Sequence, residues 1–140
     1  MTEINPQDLA ARYVALWTEP DPGLRRDAIR SLWSENCTHI VQAPEEILKV
    51  AADIGFTTAD LTARGYDSLE VRVSRAYEEF VAPGEYTFKP HGTAQRLEDV
   101  VKLRWEMVPV NGGEAAGVGL DILVLDADGR IKTDYQFIES

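Results

Sequence analysis

The stretch GLDILVLDADGRI, residues 119–131, decides the fold. A nearly continuous apolar run leads into the turn sequence of residues 126–129, and a second strand-like run continues to residue 138. Two such runs joined by a short turn predict an antiparallel hairpin. One residue departs from the pattern: Asp121 is a lone carboxylate in the apolar run, eight residues before Gly129.

Strand signals fill the second half of the chain. Runs rich in β-branched and aromatic residues alternate with turn sequences around residues 97–99, 111–113 and 126–129. They predict strands over residues 86–97, 99–110, 115–126 and 130–138, and a short early strand over residues 37–42. Short turns between long strands predict an antiparallel meander.

Helix signals fill the first half. Asn5 before Pro6 and Asp21 before Pro22 are start signals, and apolar residues then recur at helical spacing. The predicted helices cover residues 6–19, a second one from residue 22 through Trp33, a third from residue 44 to Gly55, and a longer one from about residue 67 to 82. Residues 57–64 are predicted to be a loop or a single turn.

Helices before strands predict an α+β fold, with the helices on one face of a curved antiparallel sheet that closes into a cone around them. No linker or repeat divides the sequence, so residues 1–140 are predicted to form a single domain. His91, between Pro90 and Gly92, is expected at a strand bend or bulge.

Composition narrows the function classes. The net charge of -10 disfavours binding to nucleic acid or to an anionic membrane, because phosphates would be repelled. Cys37 is the only cysteine, so no internal disulfide can form, and a buried thiol is expected. The sequence shows no secretion signal and no membrane span, so we expect a cytoplasmic protein.

Three segments carry a resemblance to a known family. RYVALW at residues 12–17, LWSENCTHI at 32–40 and DADGRIKTDYQFI at 126–138 occur in an order that resembles the nuclear transport factor 2-like superfamily, over nearly the whole chain. The resemblance implies a cystatin-like roll with a pocket inside the cone. It also implies a small hydrophobic ligand, no cofactor, and a homodimer formed through the outer sheet face.

The ketosteroid isomerases of that superfamily offer the closest comparison. By resemblance, Tyr13 of the R-Y-V-A segment and Asp121 would be the two donors to a substrate oxyanion, Asp121 as a carboxylic acid kept neutral by an apolar site. The isomerases' general-base aspartate falls on Val41 or Gln42, and neither can accept a proton at neutral pH. His39 is then the nearest candidate base, because it shares a strand face with Val41 and titrates near neutrality.

Structural explanations compete with these catalytic ones. Tyr13 fits a core ring bonded to a nearby carbonyl. If a two-residue loop pairs residue 111 with 114, Asp121 lies opposite Arg104 in an ordinary ion pair. A register shifted by one residue puts Asp121 on the face of Leu103, Trp105 and Met107 instead, where burial would raise its pKa. The candidate pocket residues are Trp17, Trp33, Val41, Leu103, Trp105 and Tyr135.

Three functions remain open: an isomerase, cyclase or hydrolase that uses Tyr13, Asp121 and His39; a non-catalytic ligand-binding module; or a dimeric scaffold whose cone is filled. No metal is expected, because the two histidines lie far apart in the sequence. Residues 43–65 are predicted to form either a lid over the pocket or a dimer contact, through the apolar residues Ile47, Leu48, Ile54 and Phe56.

Overall fold

The computed structural model describes residues 4–43, 45–53, 55 and 60–139. Helices and strands follow one another largely in the predicted order. The helices are α1 (Pro6–Thr18), α2 (Pro22–Leu32), α3 (Glu45–Asp53) and α4 (Gly65–Ala76), the last continued by a π-helical segment (Tyr77–Val81). The strands are β1 (Trp33–Gln42), β2 (Asp60–Arg64), β3 (Tyr86–Leu97), β4 (Val100–Pro109), β5 (Gly117–Leu125) and β6 (Ile131–Glu139).

Both predicted helix starts are confirmed. The Asn5 side chain accepts hydrogen bonds from the first-turn amides of α1, and the Asp21 side chain does the same for α2. Pro6 and Pro22 occupy the first helical positions, where a missing N–H costs nothing. These caps fix where α1 and α2 begin, and therefore where Tyr13 lies relative to the sheet.

The six strands form one sheet in the order β2-β1-β6-β5-β4-β3. The predicted α+β class is confirmed, and β3 to β6 form the predicted meander of antiparallel neighbours. The sheet is mixed, because β1 and β6 pair in parallel. No hairpin joins these two strands, so the pattern of local turns could not set their direction.

Two boundaries differ from the prediction. Residues 57–64 were predicted to be a loop or a turn, which is wrong for Asp60–Arg64: this segment is an edge strand antiparallel to β1. It is only five residues long, too short for its alternation to register in the sequence. Strand β1 starts at Trp33 rather than at residue 37, and α2 ends at Leu32 rather than at Trp33.

Part of the predicted lid or dimer contact lies outside the described residues. This part comprises Ile54, Phe56 and the side chains of Ile47 and Leu48. The backbone of residues 45–53 is helical, as predicted.

The register between β4 and β5 decides the direction of Asp121. Asp121 lies opposite Leu103, and Arg104 lies opposite Leu120. Arg104 forms its ion pair with Glu139 instead, at 3.0 Å. The connection between the two strands is longer than a two-residue hairpin, which gives the shifted register and turns Asp121 toward the helices.

The core lies between the helices and the inner face of the sheet. Trp33, Leu69, Val101, Leu123 and Ile131 are fully or almost fully buried there, and Cys37 is a buried free thiol as expected. Gly92 has a positive φ, and the register between β3 and β4 shifts after His91, as the Pro-His-Gly sequence predicted. Among the described residues, no helix combines the length and the apolar character that a membrane crossing requires.

Candidate functional site

Tyr13 lies between two buried carboxyl groups. Its hydroxyl oxygen is 2.8 Å from Asp121 Oδ2 and 2.5 Å from Asp134 Oδ2. Helix α1 brings Tyr13 over β5 and β6, where Leu123 is the direct partner of Asp134, so the two aspartates are diagonal neighbours on the inner face. Both aspartates are completely buried. Two acids in an apolar core therefore meet at one phenol.

A count of protons shows that the two acids are not both ionised. The tyrosine O–H carries one proton and can donate to only one carboxyl group. The second short contact needs a proton from a carboxylic acid, which then donates to the tyrosine oxygen. At least one of Asp121 and Asp134 is therefore a neutral acid while Tyr13 keeps its own proton, and burial raises the pKa of Tyr13.

Asp134 is the better candidate for the neutral acid. Burial, followed by the charge of Asp121, raises the pKa of Asp134 well above its ordinary value. Its second oxygen, Oδ1, is buried without a hydrogen-bond partner among the described residues, which is far less costly for a neutral acid than for a carboxylate.

Asp121 has the stronger set of donors. Trp105 Nε1 donates to its Oδ1 at 2.7 Å, and Tyr13 donates to its Oδ2. Burial raises the pKa of Asp121, but hydrogen bonds from Asp134, Tyr13 and Trp105 oppose that rise. We therefore assign the negative charge of the pair to Asp121 and the shared proton to Asp134, whereas the resemblance implied that Asp121 would be the neutral acid.

His39 adjoins this network as a neutral ring. Arg72 Nη1 lies 3.0 Å from His39 Nδ1, and because a guanidinium can only donate, Nδ1 must be the accepting nitrogen. The proton then sits on Nε2, which donates to Gln136 Oε1 at 2.9 Å and lies 3.5 Å from Asp134 Oδ2. Burial lowers the pKa of His39 to about 4. The lone pair that a general base needs is occupied by Arg72.

The hydrogen on His39 Nε2 disfavours a metal ion at this cluster. One ligand atom each from His39, Asp121 and Asp134 lies within 4.8 Å of the others, a spacing that a metal site could use. A metal would need the lone pair of His39 Nε2, which carries hydrogen here. Moving that hydrogen to Nδ1 would set it against the Arg72 guanidinium. The cluster is better suited to sharing protons than to binding a cation.

A cavity of about 340 Å³ lies beside Tyr13. Aromatic and aliphatic side chains form most of its wall, with Tyr13 and Gln136 as the polar side chains. Its lining consists of Tyr13, Val14, Trp17, Ala76, Phe80, Phe88, Trp105, Met107, Ala116, Gly117, Val118, Gln136 and Ile138.

Gly119 allows Trp105 to serve both as cavity wall and as hydrogen-bond donor. Gly119 is the direct partner of Trp105 across β4 and β5, and a Cβ atom there would come within 2.1 Å of the indole ring. The missing side chain lets the indole lie flat across β5 and reach Asp121.

The structure brings most of the predicted site residues to this region. Tyr13, Asp121 and His39 come together in one network, and Trp17 and Trp105 line the cavity. Val41 lines a neighbouring groove.

The remaining predicted pocket residues lie elsewhere. Trp33 and Leu103 are buried in the core and are not among the cavity's lining residues. Tyr135, which was predicted as a pocket residue, does not lie in the pocket. It lies between the inward-facing Asp134 and Gln136 on β6, so strand alternation turns its side chain to the outer face, where it is 43% exposed.

Three residues of this hydrogen-bonded region were missed by the sequence analysis. Asp134 has the same signature as Asp121, a carboxylate at an inward position of a strand. Gln136 shares its face, and Arg72 lies on the inner side of α4. Alternation along β6 could have paired Asp134 with Gln136, but the link to His39 depends on the parallel pairing with β1.

Comparison with known proteins identifies the fold. No protein-family model and no curated relative matches the sequence. Solved structures do match. A candidate isomerase of the SnoaL-like family from Agrobacterium tumefaciens superposes with a TM-score of 0.75 and 21% identity, over 96% of this chain and 97% of that chain. The chain has the nuclear transport factor 2-like fold.

Two further structures with the nuclear transport factor 2-like fold extend this result. A nuclear transport factor 2-like protein of unknown function from Exiguobacterium sp. 255-15 gives a TM-score of 0.61 at 19% identity, over 97% of this chain and 99% of that chain. A candidate polyketide cyclase from Sinorhizobium meliloti gives 0.58 at 12% identity, over 95% and 99%. At these identities the shared property is the fold, which supports many different functions.

Proposed function

We propose that the cavity binds a small, mostly apolar molecule bearing a carbonyl, epoxide or hydroxyl oxygen, and that Tyr13 donates a proton to that oxygen. One observation carries the proposal: Tyr13 is the only titratable residue among the cavity's described lining residues, and its hydroxyl rests on two buried acids. The reaction class would be that of a cofactor-independent isomerase, cyclase or hydrolase.

The network suits general-acid chemistry. As a substrate oxygen takes the Tyr13 proton, Tyr13 takes the proton of Asp134, so that no tyrosinate has to form. The negative charge then lies for that step on Asp134, 3.5 Å from His39 Nε2–H, and the proton released as the product forms returns to Asp134. Asp121 keeps its bond from Trp105 throughout, which holds the fixed charge of the pair in place. In a water-poor cavity, such preorganised donors stabilise developing charge more strongly than water does.

We assign His39 a positioning role in this scheme. Its Nε2–H holds the Gln136 side chain, which faces the cavity, and its Nδ1 is occupied by Arg72. The sequence analysis expected His39 to move a proton. In this scheme Tyr13 and Asp134 move it instead. Protonation of an oxygen is enough to promote the opening of an epoxide or a lactone by water. An isomerase or cyclase would also need a base for a carbon-bound proton, and none is among the cavity's described lining residues.

The test uses three apolar probes: 2-tetralone, styrene oxide and δ-valerolactone. Binding is followed through the fluorescence of Trp17 and Trp105, and turnover is followed by NMR. We expect at least one probe to bind and react. Tyr13→Phe should keep the binding and slow the turnover at least about 100-fold, the usual contribution of a general acid.

Tyr135→Phe is the matched control, because it removes a tyrosine hydroxyl from the outer face of the same sheet. It should leave binding and turnover unchanged. If no probe binds to the wild-type protein, the proposal fails at its first step.

The alternative is a binding module without catalysis. It is favoured by the complete burial of Asp121 and Asp134, neither of which lines the cavity. Probes that bind with no measurable turnover, with affinity reduced in Tyr13→Phe, would support it. A scaffold with a filled interior is the weakest of the three functions, because the cavity exceeds the roughly 300 Å³ at the lower end for ligand sites.

We also propose that the protein forms a homodimer through the outer sheet face. Tyr135 and Phe137 are each 43% exposed on this face, and such aromatic residues are enriched at protein interfaces. Light scattering on the purified protein measures the mass directly. A monomer at micromolar concentration would contradict the proposal.

A further inference from the structure

A second groove adjoins the cavity. It has a volume of about 690 Å³, is more open, and lies between α4 and strands β1 and β2. The groove and the cavity share Trp17, Ala76, Phe80 and Gln136 in their walls. These four residues therefore lie at the boundary between the cavity and the groove.

Arg72 is the charged group at the inner end of this groove. One of its nitrogens, Nη1, donates to His39 Nδ1 at 3.0 Å, to the His39 carbonyl at 3.1 Å and to the Leu61 carbonyl at 3.3 Å. These bonds fix the guanidinium in place. The other two nitrogens, Nε and Nη2, form no hydrogen bond with the described residues, so one edge of the guanidinium fork is free.

Arg72 also forms no direct ion pair with the described residues, although its side chain is partly buried. The groove also contains Arg75 and Glu79. Burial lowers the pKa of Arg72, and the Asp134 carboxyl group beyond the His39 ring opposes that shift. An anion at the free edge would add a direct, charge-assisted pair to this partly buried cation.

A carboxylate fits this edge better than other anions. Its two oxygens lie in one plane and match two parallel N–H donors of a guanidinium. A doubly charged phosphate would require more donors than one arginine edge offers, and the net charge of -10 opposes it further. The overall charge repels all anions, so any preference for a carboxylate must come from the local geometry.

The distance between Tyr13 and Arg72 limits the length of a ligand that contacts both residues. Tyr13 is linked to Arg72 through Asp134 and the His39 ring, over contacts of 2.5, 3.5 and 3.0 Å. The Tyr13 hydroxyl and Arg72 Nη1 are thus separated by at most about 11 Å, given these contacts and one ring width of about 2 Å. An acyclic or monocyclic acid can span this distance.

We propose that the ligand is an apolar carboxylic acid with a second oxygen, its carboxylate held by Arg72 in the groove and its second oxygen placed at Tyr13 in the cavity. This assignment rests on the proposed function and names the substrate class of the same site. It makes Arg72 a specificity-determining residue.

The test compares 4-oxo-4-phenylbutanoate with its methyl ester, which has the same apolar body and ketone but no charge. Dissociation constants are measured by tryptophan fluorescence for the wild type, Arg72→Gln, Arg72→Lys and Arg75→Gln. In the wild type the acid should bind at least about tenfold more tightly than the ester, since a charge-assisted pair replaces solvent. Arg72→Gln should abolish this preference for the acid over the ester, and any change in the ester's affinity measures separately the loss of the contact between Arg72 and His39.

The other two variants separate fork geometry from charge. Arg72→Lys keeps the charge and loses the planar fork, so part of the preference should be lost. Arg75→Gln is the matched control: it removes an exposed arginine from the same groove and should change the preference less than twofold. Melting temperatures of all variants verify that the fold is retained.

The outcomes distinguish the carboxylate site at Arg72 from the proposed function of the cavity. Ester and acid binding equally to the wild type would overturn the carboxylate site while the apolar pocket stands. A loss of acid affinity in Arg75→Gln equal to that in Arg72→Gln would also overturn it, by pointing to diffuse charge. Failure of both compounds to bind to the wild type would overturn the carboxylate site together with the proposed function.

Discussion

The hydroxyl of Tyr13 and the carboxyl group of Asp134 lie 2.5 Å apart in a region closed to solvent, although 121 residues separate them in the chain. Tyr13 has one hydroxyl proton and can donate it to only one of its two carboxyl neighbours. The contact with Asp134 therefore requires a proton on that carboxyl group. The protonation state of Asp134 is therefore a structural property that stability measurements can read.

The first prediction concerns Asp134 and alkaline pH. Its folded pKa is raised well above the unfolded value near 3.8, so the folded protein retains a proton that the unfolded chain releases at neutral pH. Stability from this group is fully present below the unfolded pKa and falls as the pH rises toward the folded pKa, by at most about 1.4 kcal/mol per pH unit.

Asp134→Asn cannot titrate and should remove this dependence. Urea unfolding between pH 5 and 9 measures the difference in unfolding free energy between wild type and variant, which should shift in favour of the variant as the pH rises. Parallel curves for the two proteins would show that Asp134 is ionised when folded.

The second prediction concerns His39 and acidic pH. Its folded pKa of about 4 lies below the ordinary value of 6.5, so the unfolded chain binds a proton before the folded protein does. The stability from neutral His39 is present above pH 6.5 and is lost as the pH falls toward 4, by up to about 3 kcal/mol in total.

His39→Gln should lose part of the overall stability and flatten the dependence between pH 6.5 and 4. His91→Gln is the matched control, because His91 is half exposed on the outer face beside Glu106. NMR titration of the two imidazole rings gives an independent check: a His39 resonance that titrates near 6.5 would contradict the assigned tautomer.

The third prediction concerns Gly119. In Gly119→Ala the new Cβ would meet the Trp105 ring, so the indole has to move and release Asp121. We expect a loss of about 1–3 kcal/mol, the usual cost of overpacking, together with a change in tryptophan fluorescence. Gly117→Ala is the control on the same strand, since its Cβ would meet nothing within 4 Å. Equal effects of the two changes would show that strand glycines, rather than the Trp105 position, set the stability.

Local signals in the sequence predicted the fold well. The pairs Asn5-Pro6 and Asp21-Pro22 place α1 and α2, and the turn ending at Gly129 places β5 and β6, because caps and tight turns depend on neighbouring residues alone. The short edge strand β2 and the parallel pairing of β1 with β6 escaped prediction, because both depend on partners distant in sequence.

The site was predictable only in part, for the same reason. Tyr13 and Asp121 were indicated by resemblance, and the direction of Asp121 depended on a single residue of register with Leu103. Asp134 was missed because nothing near it in the sequence shows that it faces Tyr13. The neutral state of His39 depends on Arg72, which reaches it from a helix 33 residues further along the chain.

The parallel pairing of β1 with β6 has a consequence for biosynthesis. His39 contacts Gln136 across 97 residues, and Tyr13 contacts Asp134 across 121. Synthesis proceeds from the amino terminus, so α1 and β1 leave the ribosome long before the strand that completes the acid network. Until β6 arrives, the nascent protein exposes the edge of β1 and the unpaired hydroxyl of Tyr13, and contacts of this range fold slowly. The proton-sharing centre is thus among the last parts of the molecule to exist.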